Sequence, residues 1–363
     1  MVAVGWVVFI CILFMLPTMR PISMSNFNFT PLVLLIVFAL LIPWYLVKLH
    51  ELHELHESHF FMSVIVLSKQ GADKSMRKGL TRAGVGQVGT LASFVQLAAE
   101  HRFQAVDADG SEIAEWIQSR GVDEVRKFLR TYGVDIGAIT LAVDWRGSED
   151  AFRSGLRQLA ADAEAAAQVG CTACCTYVLP STDWNAAHFM AVATRRLRTC
   201  AQILGAYDVS LGLEFVGPHH LRRQWKHPFI WDLASTLDWI NAIDEVNVGL
   251  LLDAYHWHTT SGTVEDLLDL AASSIVHVHL NDAHNMPVAD VLDNDRLYPG
   301  EGVIDLAGFL QALQTIGYRK VAAQEVLTPQ PPVDPPAVLL NRSMKAFDAV
   351  WAKAELGGSY HGE

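Results

Sequence analysis

Three acidic residues and one histidine lie at or near the ends of strongly apolar runs in the second half of the sequence. Glu214 follows Val-Ser-Leu-Gly-Leu, Asp253 follows Val-Gly-Leu-Leu-Leu, Glu325 follows Val-Ala-Ala-Gln, and His279 lies within Ile-Val-His-Val-His-Leu. A carboxylate in such surroundings is costly to bury unless a partner or a metal compensates its charge. Three carboxylates brought together would also repel one another, and a divalent cation removes that repulsion. Carboxylate oxygens with one imidazole suit Mn²⁺, Mg²⁺, Co²⁺ or Zn²⁺, so we predict one metal ion on these four side chains.

Taken singly, each of these residues has an ordinary explanation. A glutamate at a strand end is commonly a solvated rim residue, and a histidine on a strand is more often a hydrogen-bonded core group. His277 shares a face with His279 but lies one layer deeper, so we assign it to barrel packing or to support of His279. The same placement on four successive strands is what favours a metal site over coincidence.

The four side chains can meet only if the strands that carry them run parallel. From about residue 76 the sequence alternates short apolar strands with amphipathic helices, which is typical of βα units. Eight such units close into a (β/α)8 TIM barrel, in which the carboxyl ends of the strands converge on one face. The predicted strands are residues 78–83, 103–107, 134–143, 171–179, 209–215, 246–253, 275–280 and 320–326. The alternative, an open doubly wound sheet, would need a glycine-rich phosphate loop, and Gly84-Val85-Gly86 is too short a match.

The helices are predicted from their apolar spacing and their end signals. Thr90 and Ser148 are predicted N-caps, and Gly170 and Gly317 are predicted to end helices. The predicted helices are residues 90–101, 111–120, 122–132, 148–168, 186–207, 232–243, 263–271, 306–316 and 335–356.

Composition bears on partners and on the compartment. The chain has 39 acidic and 27 basic residues, a formal net charge of −12. Because an acidic surface repels phosphate backbones, we expect no nucleic-acid partner. The five cysteines are an odd count, and three of them lie within residues 171–175. That pattern does not resemble a disulfide framework and favours a reducing compartment.

The N-terminal segment has a different composition. Residues 2–16 and 32–47 are almost wholly apolar, each slightly short of the ~20 residues that span a bilayer core. Two interpretations stay open for residues 1–48. They form two transmembrane helices that contact a membrane, or they precede a true start at Met62 or Met76 and are an artefact of the gene model.

These observations predict a division of the chain. Residues 1–48 are the hydrophobic segment, and residues 49–75 are a linker of low complexity in which Leu-His-Glu recurs. Residues 76–357 are the metal-dependent TIM barrel, and residues 358–363 are a tail. The basic residues after the apolar runs favour a cytoplasmic barrel, anchored to a membrane through the N-terminus if the anchor is real.

Several segments between residues 212 and 327 resemble the xylose isomerase-like family of sugar isomerases and epimerases, and within it the inosose isomerase branch. The segments are GLEFVGPHH (212–220), VGLLLDAYHWH (248–258), HLND (279–282), DNDRLYPGEGVIDL (293–306) and AAQEVL (322–327). The motifs are specific over about a third of the chain. The resemblance continues more weakly through predicted strands two to four and does not cover residues 1–75.

The resemblance implies roles for individual residues. Matched motif by motif, the metal ligands of that family are the four residues proposed above. Its Asp-x-x-His motif implies that His256 lies near substrate oxygens. The arginine before its Pro-Gly turn, Arg296 here, is similarly implied to contact the substrate, a sugar or cyclitol.

The expected activity is isomerisation or epimerisation of a sugar-like or polyol-derived ketone. A metal that chelates the carbonyl and the adjacent hydroxyl would acidify the carbon-bound proton and stabilise an enediolate. Glu214 and Glu325 are then the groups that withdraw and return the proton. Trp145 and Trp257 are candidates to contact the sugar ring, although each is more often plain packing. The turn at residues 299–302 is expected to be a lid or the lead-in to a helix.

Other functions remain open at this stage. A dehydratase of the inosose or 3-dehydroshikimate type would share the first proton abstraction, so the motif does not choose between them. An apurinic endonuclease is disfavoured because residues 103–110 and 134–145 contain no histidine for its additional metals. A non-catalytic binding protein is disfavoured because all four expected ligands are present. Assembly into a homo-oligomer is left open.

Overall fold

The computed structural model describes residues 76–356. The predictions for residues 1–48, 49–75 and 358–363 lie outside these described residues and stay predictions. Within the described residues, every helix is too short or too polar to cross a membrane.

Eight parallel strands form a closed barrel, and the predicted (β/α)8 architecture is confirmed. The strands are β1 (Arg77–Leu80), β2 (Ala105–Asp109), β3 (Asp135–Thr140), β4 (Ala173–Val178), β5 (Ser210–Phe215), β6 (Val248–Asp253), β7 (Ile275–Leu280) and β8 (Val321–Gln324). Strand β1 closes the ring, since Arg77 pairs with Val321 of β8 and Gly79 pairs with Ala105 of β2. The carboxyl ends of all eight strands therefore open on the same face.

Helices cover the outside of the barrel. They are α1 (Leu91–Glu100), α2 (Gly110–Arg120), α3 (Val122–Tyr132), α4 (Glu149–Val169), α5 (Ala186–Gly205), α6 (His219–Arg222), α7 (Leu233–Ile243), α8 (Ala254–Thr259), α9 (Val264–Leu268), α10 (Leu306–Thr315) and α11 (Pro336–Lys353). The predicted caps hold, because Thr90 accepts a hydrogen bond from the amide of Ser93 and Ser148 accepts one from Ala151. Gly170 ends α4 in the left-handed conformation, which glycine adopts at little cost.

The differences from the predicted elements have local causes. Strand β1 ends at Leu80 because the chain turns at once, where the Thr81 hydroxyl accepts a hydrogen bond from the amide of Ala83. The predicted helix 263–271 ends at Leu268 and is followed by the 3₁₀ turn Ala272–Ser274. Helices α6 and α8 were not predicted, because four and six residues are too few to display a helical period.

A small apolar cluster inside the barrel joins residues of β3, β4, β6 and β7. Ala138, Ala173, Cys175, Leu251 and Val276 form one buried cluster there. A Cβ on Gly212 would lie 3.1 Å from the Cys175 sulphur, so the strands approach closely at this level. The larger apolar core lies between the strands and the helices.

Candidate metal centre

The four side chains proposed as metal ligands converge at the carboxyl ends of β5 to β8. Glu214 lies on β5, Asp253 ends β6, His279 lies on β7 and Glu325 follows β8. Each offers an oxygen or nitrogen atom, and these atoms all lie within 4.8 Å of one another. Strand register produces the convergence, since His279 pairs with Asp253 on one side and with Ala323 on the other.

The centre leaves polar atoms in need of a partner. His279 Nδ1 lies 3.5 Å from both Glu214 Oε1 and Glu325 Oε2, and 3.9 Å from Asp253 Oδ2. His279 Nδ1 and Glu214 Oε1 are buried and make no hydrogen bond. Buried atoms of this kind are normally paired, and a cation bound by several lone pairs would satisfy both. This donor set fits one divalent metal ion.

The pKa shifts of the side chains in the centre also favour a bound cation. Burial opposes the charge on His279, but Glu325 and the other neighbouring carboxylates outweigh it and raise the His279 pKa well above its ordinary value. Burial likewise raises the pKa of Glu214. Burial also opposes the charge on Glu325, yet the charge of His279 and then that of Arg296 lower the Glu325 pKa to about 2. Protein groups alone therefore leave this cluster short of positive charge.

Asp107, on β2, supports the ligand His279 from behind. Its Oδ2 lies 2.8 Å from His277 Nε2 and 3.4 Å from His279 Nε2. A carboxylate on Nε2 fixes the proton there and leaves Nδ1 as the atom that faces the other three ligands. His277 is hydrogen-bonded to Asp107, and its ring lies edge-on to that of His279, 5.3 Å away; its assignment to barrel packing or to support of His279 stays a prediction.

Sequence reasoning missed Asp107. It ended the predicted strand 103–107, the same position that singled out the acidic residues of the second half, so the signal was present. That strand was searched only for histidines. Asn281 was also unassigned, although it belongs to the HLND segment. Its side-chain amide donates to both oxygens of Asp253, at 3.1 Å each.

Arg296 is completely enclosed by acceptors. Nη1 donates to Asp253 Oδ2 and to Glu325 Oε2, both at 3.0 Å, while Nε and Nη2 reach the carbonyl and the carboxylate of Asp293 at 2.8 Å. The guanidinium also lies 4.8 Å over the Tyr255 ring. The structure thus brings Arg296 to the centre, where its observed contacts are with two of the proposed ligands.

His256 lies beside Arg296 and is buried. Its Nδ1 accepts a hydrogen bond from the amide of Gly217 at 3.3 Å. Its Nε2 lies 3.4 Å from Arg296 Nη2, which can only donate, and 3.9 Å from Asp293 Oδ1. Its predicted contact with substrate oxygens stays a prediction.

A cleft opens beside the centre. It consists of two adjoining cavities of about 250 and 360 Å³ that share Thr140, Cys175, His279 and Glu325 in their walls. Strands β1 to β3 and the turns that follow them line the first cavity, and the loop after β3 lines the second together with strand β4 and Glu214. A molecule in this cleft would contact the centre from the side of the first half of the barrel.

The two tryptophans lie outside the walls of the cleft, although Trp145 lies directly behind one of them. Trp145 is buried against Phe189 and Trp239, and its Nε1 donates to Thr176 Oγ1. Trp257 packs on Phe309 in the outer layer. Neither is among the residues that line the two cavities. These positions are those of packing residues, and nothing in the structure supports their predicted contact with a ring.

Asp282, the last residue of HLND, organises the turn at residues 299–302. Its two carboxylate oxygens accept hydrogen bonds from four backbone amides, those of Ala283, Gly300, Gly302 and Ile304. A Cβ on Gly302 would lie 2.1 Å from the Ala283 carbonyl oxygen, so only glycine fits. The turn is held in place and leads into α10, as one of the two expectations for it stated.

The family assignment rests on most of the barrel. The family model described as xylose isomerase-like TIM barrel matches residues 95–349. The chain belongs to this family. The resemblance noted in the sequence motifs is thereby confirmed, including its weaker continuation through strands β2 to β4.

Individual relatives include enzymes of more than one activity. An inosose isomerase of Bacillus velezensis is 23% identical over 244 residues, which are 65% of this chain and 83% of that protein. A 3-dehydroshikimate dehydratase of Pseudomonas aeruginosa is 31% identical over 133 residues, which are 36% of this chain and 20% of that protein.

Solved structures match the barrel. A xylose isomerase domain protein of Alicyclobacillus acidocaldarius is 30% identical with a TM-score of 0.72, over 77% of this chain and 100% of that chain. The IOLI protein, solved with a zinc atom bound, shares the fold at 20% identity and a TM-score of 0.64, over 77% of this chain and 99% of that chain. These matches show that the barrel of this chain has the fold of those proteins.

Proposed function

We propose that this protein is an isomerase or epimerase that depends on one divalent metal ion and moves a proton on a ketone derived from a sugar or cyclitol. The observation that carries the proposal is the convergence of Glu214, Asp253, His279 and Glu325 within 4.8 Å at the carboxyl ends of four successive strands. When bound, the cation supplies Lewis-acid polarisation of a carbonyl oxygen, which acidifies the adjacent carbon-bound proton.

Three further residues hold the proposed ligands in position. Asp107, Asn281 and Arg296 orient His279, Asp253 and Glu325 through their hydrogen bonds and ion pairs. An arrangement held in this way loses little free energy to reorganisation when a ligand binds.

Glu214 and Glu325 are the proposed proton carriers. Both line the second cavity, and each has an oxygen 3.5 Å from the same nitrogen of His279. Their environments act on them in opposite directions, since the pKa of Glu214 is raised and that of Glu325 is lowered. Two carboxylates whose surroundings shift their pKa values in opposite directions are suited to accept a proton at one position and to return one at another.

The cleft supports a polar substrate of moderate size. The first cavity is lined by hydrogen-bonding side chains that include Thr81, Asp109, Glu112 and Thr140. Such a lining suits a molecule with several hydroxyl groups, and it agrees with the sugar and cyclitol substrates named for the relatives.

A second candidate activity is dehydration. The dehydratase relative supports it, and isomerase and dehydratase share the first proton abstraction. The two reactions differ in the next step, because a dehydratase expels a hydroxyl group from the neighbouring carbon. That step creates a conjugated double bond that absorbs ultraviolet light, whereas isomerisation leaves the composition of the substrate unchanged.

The test uses the full-length chain. Bound metal is measured after purification, removed with a chelator, and replaced in parallel by Mn²⁺, Zn²⁺, Mg²⁺ or Co²⁺. Each form is incubated in D₂O with an inosose, a ketohexose and 3-dehydroshikimate, and NMR follows exchange of carbon-bound protons. We expect exchange of one such proton in an active substrate, its loss on chelation and its return on reloading. Exchange that survives exhaustive chelation, or a purified protein that retains no metal, would contradict the proposal.

A further inference from the structure

Arg146 lies in the wall of the second cavity, in the half of the barrel that supplies none of the proposed ligands. It belongs to the loop after β3, and it lines the same cavity as Glu214, His279 and Glu325. The activity proposed above assigns it no part.

Its guanidinium is held between two aromatic rings. The central carbon lies 4.1 Å from the centroid of Trp145 on one side and 4.1 Å from that of Tyr177 on the other. Nη2 donates to the Tyr177 carbonyl oxygen and approaches Thr176 Oγ1 at 3.4 Å. These contacts fix the plane of the group before any ligand arrives, which reduces the entropy lost on binding.

Donors of the same group remain available. Nε is buried and makes no hydrogen bond, and Nη1 donates to no protein atom among residues 76–356. A buried donor without an acceptor is costly unless a ligand or water supplies one. These N–H donors belong to a guanidinium group, which carries a positive charge when protonated. Burial lowers the pKa of Arg146 to about 10, so it is charged at neutral pH.

The other arginines of the cleft are neutralised by carboxylates. Arg82 forms an ion pair with Glu112 at 2.7 Å, and Arg296 contacts Asp253 and Glu325. Within residues 76–356, Arg146 has no carboxylate within 4.0 Å.

An acidic residue of the same loop, Asp144, also lines this cavity, and its side chain bonds to the backbone. Asp144 Oδ1 accepts hydrogen bonds from the amides of Arg146 and Gly147, at 3.2 and 2.9 Å. Asp144 therefore acts on the Arg146 charge only through space, without an ion pair, and the guanidinium can still pair with an anion that enters the cleft.

We propose that Arg146 is an anion subsite, and that the substrate is a cyclic ketone which carries a carboxylate group. This inference rests on the proposed function, because it places the carboxylate at Arg146 while the carbonyl lies at the metal centre. A planar guanidinium matches a carboxylate with two parallel hydrogen bonds. The buried ring of Trp145 shields one face of that pair from water, whereas Tyr177 is half exposed. Trp145 thus acts on the substrate through Arg146.

The test compares two stable ring compounds that differ only in the carboxylate, 3,4-dihydroxybenzoate and catechol. Both can chelate a metal through adjacent hydroxyls, so the affinity for catechol reports on the metal centre. The difference in affinity between the two compounds reports on the contact of the carboxylate with Arg146. Affinities are measured by isothermal titration calorimetry on the full-length chain loaded with Mn²⁺, and again after chelation. The variants are Arg146→Met, which keeps an apolar chain between the rings, and Arg146→Lys, which keeps the charge but not the fork. Arg153→Met, at an exposed position of α4, is the matched control.

In the wild type and in Arg153→Met we expect 3,4-dihydroxybenzoate to bind at least about tenfold more tightly than catechol. Arg146→Met should reduce that preference to less than twofold, and Arg146→Lys should retain part of it. The affinity for catechol should stay the same in all four proteins. Melting curves establish that the variants are folded.

The outcomes separate the two proposals. A wild type without the preference, or an Arg146→Met variant that keeps it, overturns the anion subsite. If catechol binding is unaffected by chelation while the preference still depends on Arg146, the metal-dependent function fails and the subsite stands. A phosphate ester of catechol that outcompetes the carboxylate tenfold would overturn the choice of a carboxylate.

Discussion

The two halves of the barrel differ in what they bring to the cleft. Strands β5 to β8 supply all four proposed ligands, together with Asn281 and Arg296, which hold the carboxylates in place. Strands β1 to β4 supply one carboxylate that faces the centre, Asp107, and it acts through His279. Otherwise that half lines the cavities with small, apolar and hydroxylated side chains and with charged ones, namely Arg82, Asp109, Glu112, Asp144 and Arg146.

This difference separates chemistry from recognition. The second half fixes where a carbonyl would be activated, because its side chains are buried and bound to one another. The first half decides which substituents fit beside it, because its side chains line the open cavities. Relatives with different activities can share the second half and differ in the first.

The largest effect is expected from removing one proton carrier of the second half. Glu325→Gln keeps the size of the side chain but cannot take up a proton. We expect the rate of carbon-bound proton exchange to fall by about 10²–10⁴-fold, measured by NMR in D₂O. Glu164→Gln, an exposed position on α4, is the control and should exchange at the wild-type rate. Wild-type exchange in Glu325→Gln would remove Glu325 from the mechanism.

Arg296→Met tests whether the second half needs positive charge. The variant leaves Asp253 and Glu325 without their shared donor, and breaking a buried pair in this way costs about 3–5 kcal/mol of unfolding free energy. We expect that loss in chelated protein and a smaller one with Mn²⁺ bound, since a cation compensates the same carboxylates. Denaturant titrations with and without Mn²⁺ measure both values.

The control for this prediction is another arginine ion pair. Arg342→Met removes a half-exposed contact with Glu301 and should cost at most about 1 kcal/mol with or without metal. An Arg296→Met loss of equal size in both conditions would mean that the carboxylates of Asp253 and Glu325 do not bind the cation.

Asp107→Asn tests the single contribution of the first half to the centre. The amide is a weaker acceptor than the carboxylate and no longer holds the proton on His279 Nε2. We expect metal affinity to fall about 10–100-fold, measured by competition with a chelating dye. Asp208→Asn, at an exposed left-handed position that asparagine also tolerates, is the control. Unchanged affinity in Asp107→Asn would confine the metal centre to the second half.

The contrast between the halves also explains what the sequence could predict. In the second half, apolar runs buried on both faces end at charged residues, so strands β5 to β7 were predicted to within two residues. In the first half, β1 reads Arg-Lys-Gly-Leu and has no apolar run, because pairing with β8 rather than local composition fixes it. Its end was therefore predicted three residues too late.

Long-range contacts were the other limit. Asp107 contacts His277 and His279, which lie 170 or more positions away in the sequence. The periodicity of apolar residues cannot predict a contact of this kind. The position of Trp145 was predicted from its place after strand three, but packing against α5 and α7 decided it. Arg146 lies in a loop, where apolar spacing carries no information.

The smallest expected effect is on stability, at a carboxylate that lies outside the metal centre and is buried only by packing. Asp162 on α4 is buried against Gly110, and its one side-chain partner is Gln158 at 2.8 Å. Burial raises the pKa of Asp162 above its ordinary 3.8. The protonated form is thus favoured by folding, and its contribution is present below pH 3.8 and lost as the pH rises through the raised pKa.

At neutral pH the charged Asp162 should therefore be a cost. Asp162→Asn keeps the acceptor for Gln158 and removes the charge, so we expect unfolding free energy to rise by about 1 kcal/mol at pH 7. The gain should shrink toward zero below pH 3.8, as seen in denaturant titrations across that range. Metal affinity should be unchanged, in contrast to Asp107→Asn. A variant less stable than wild type at pH 7 would mean that the buried charge of Asp162 is compensated in the fold, as those of the metal centre are.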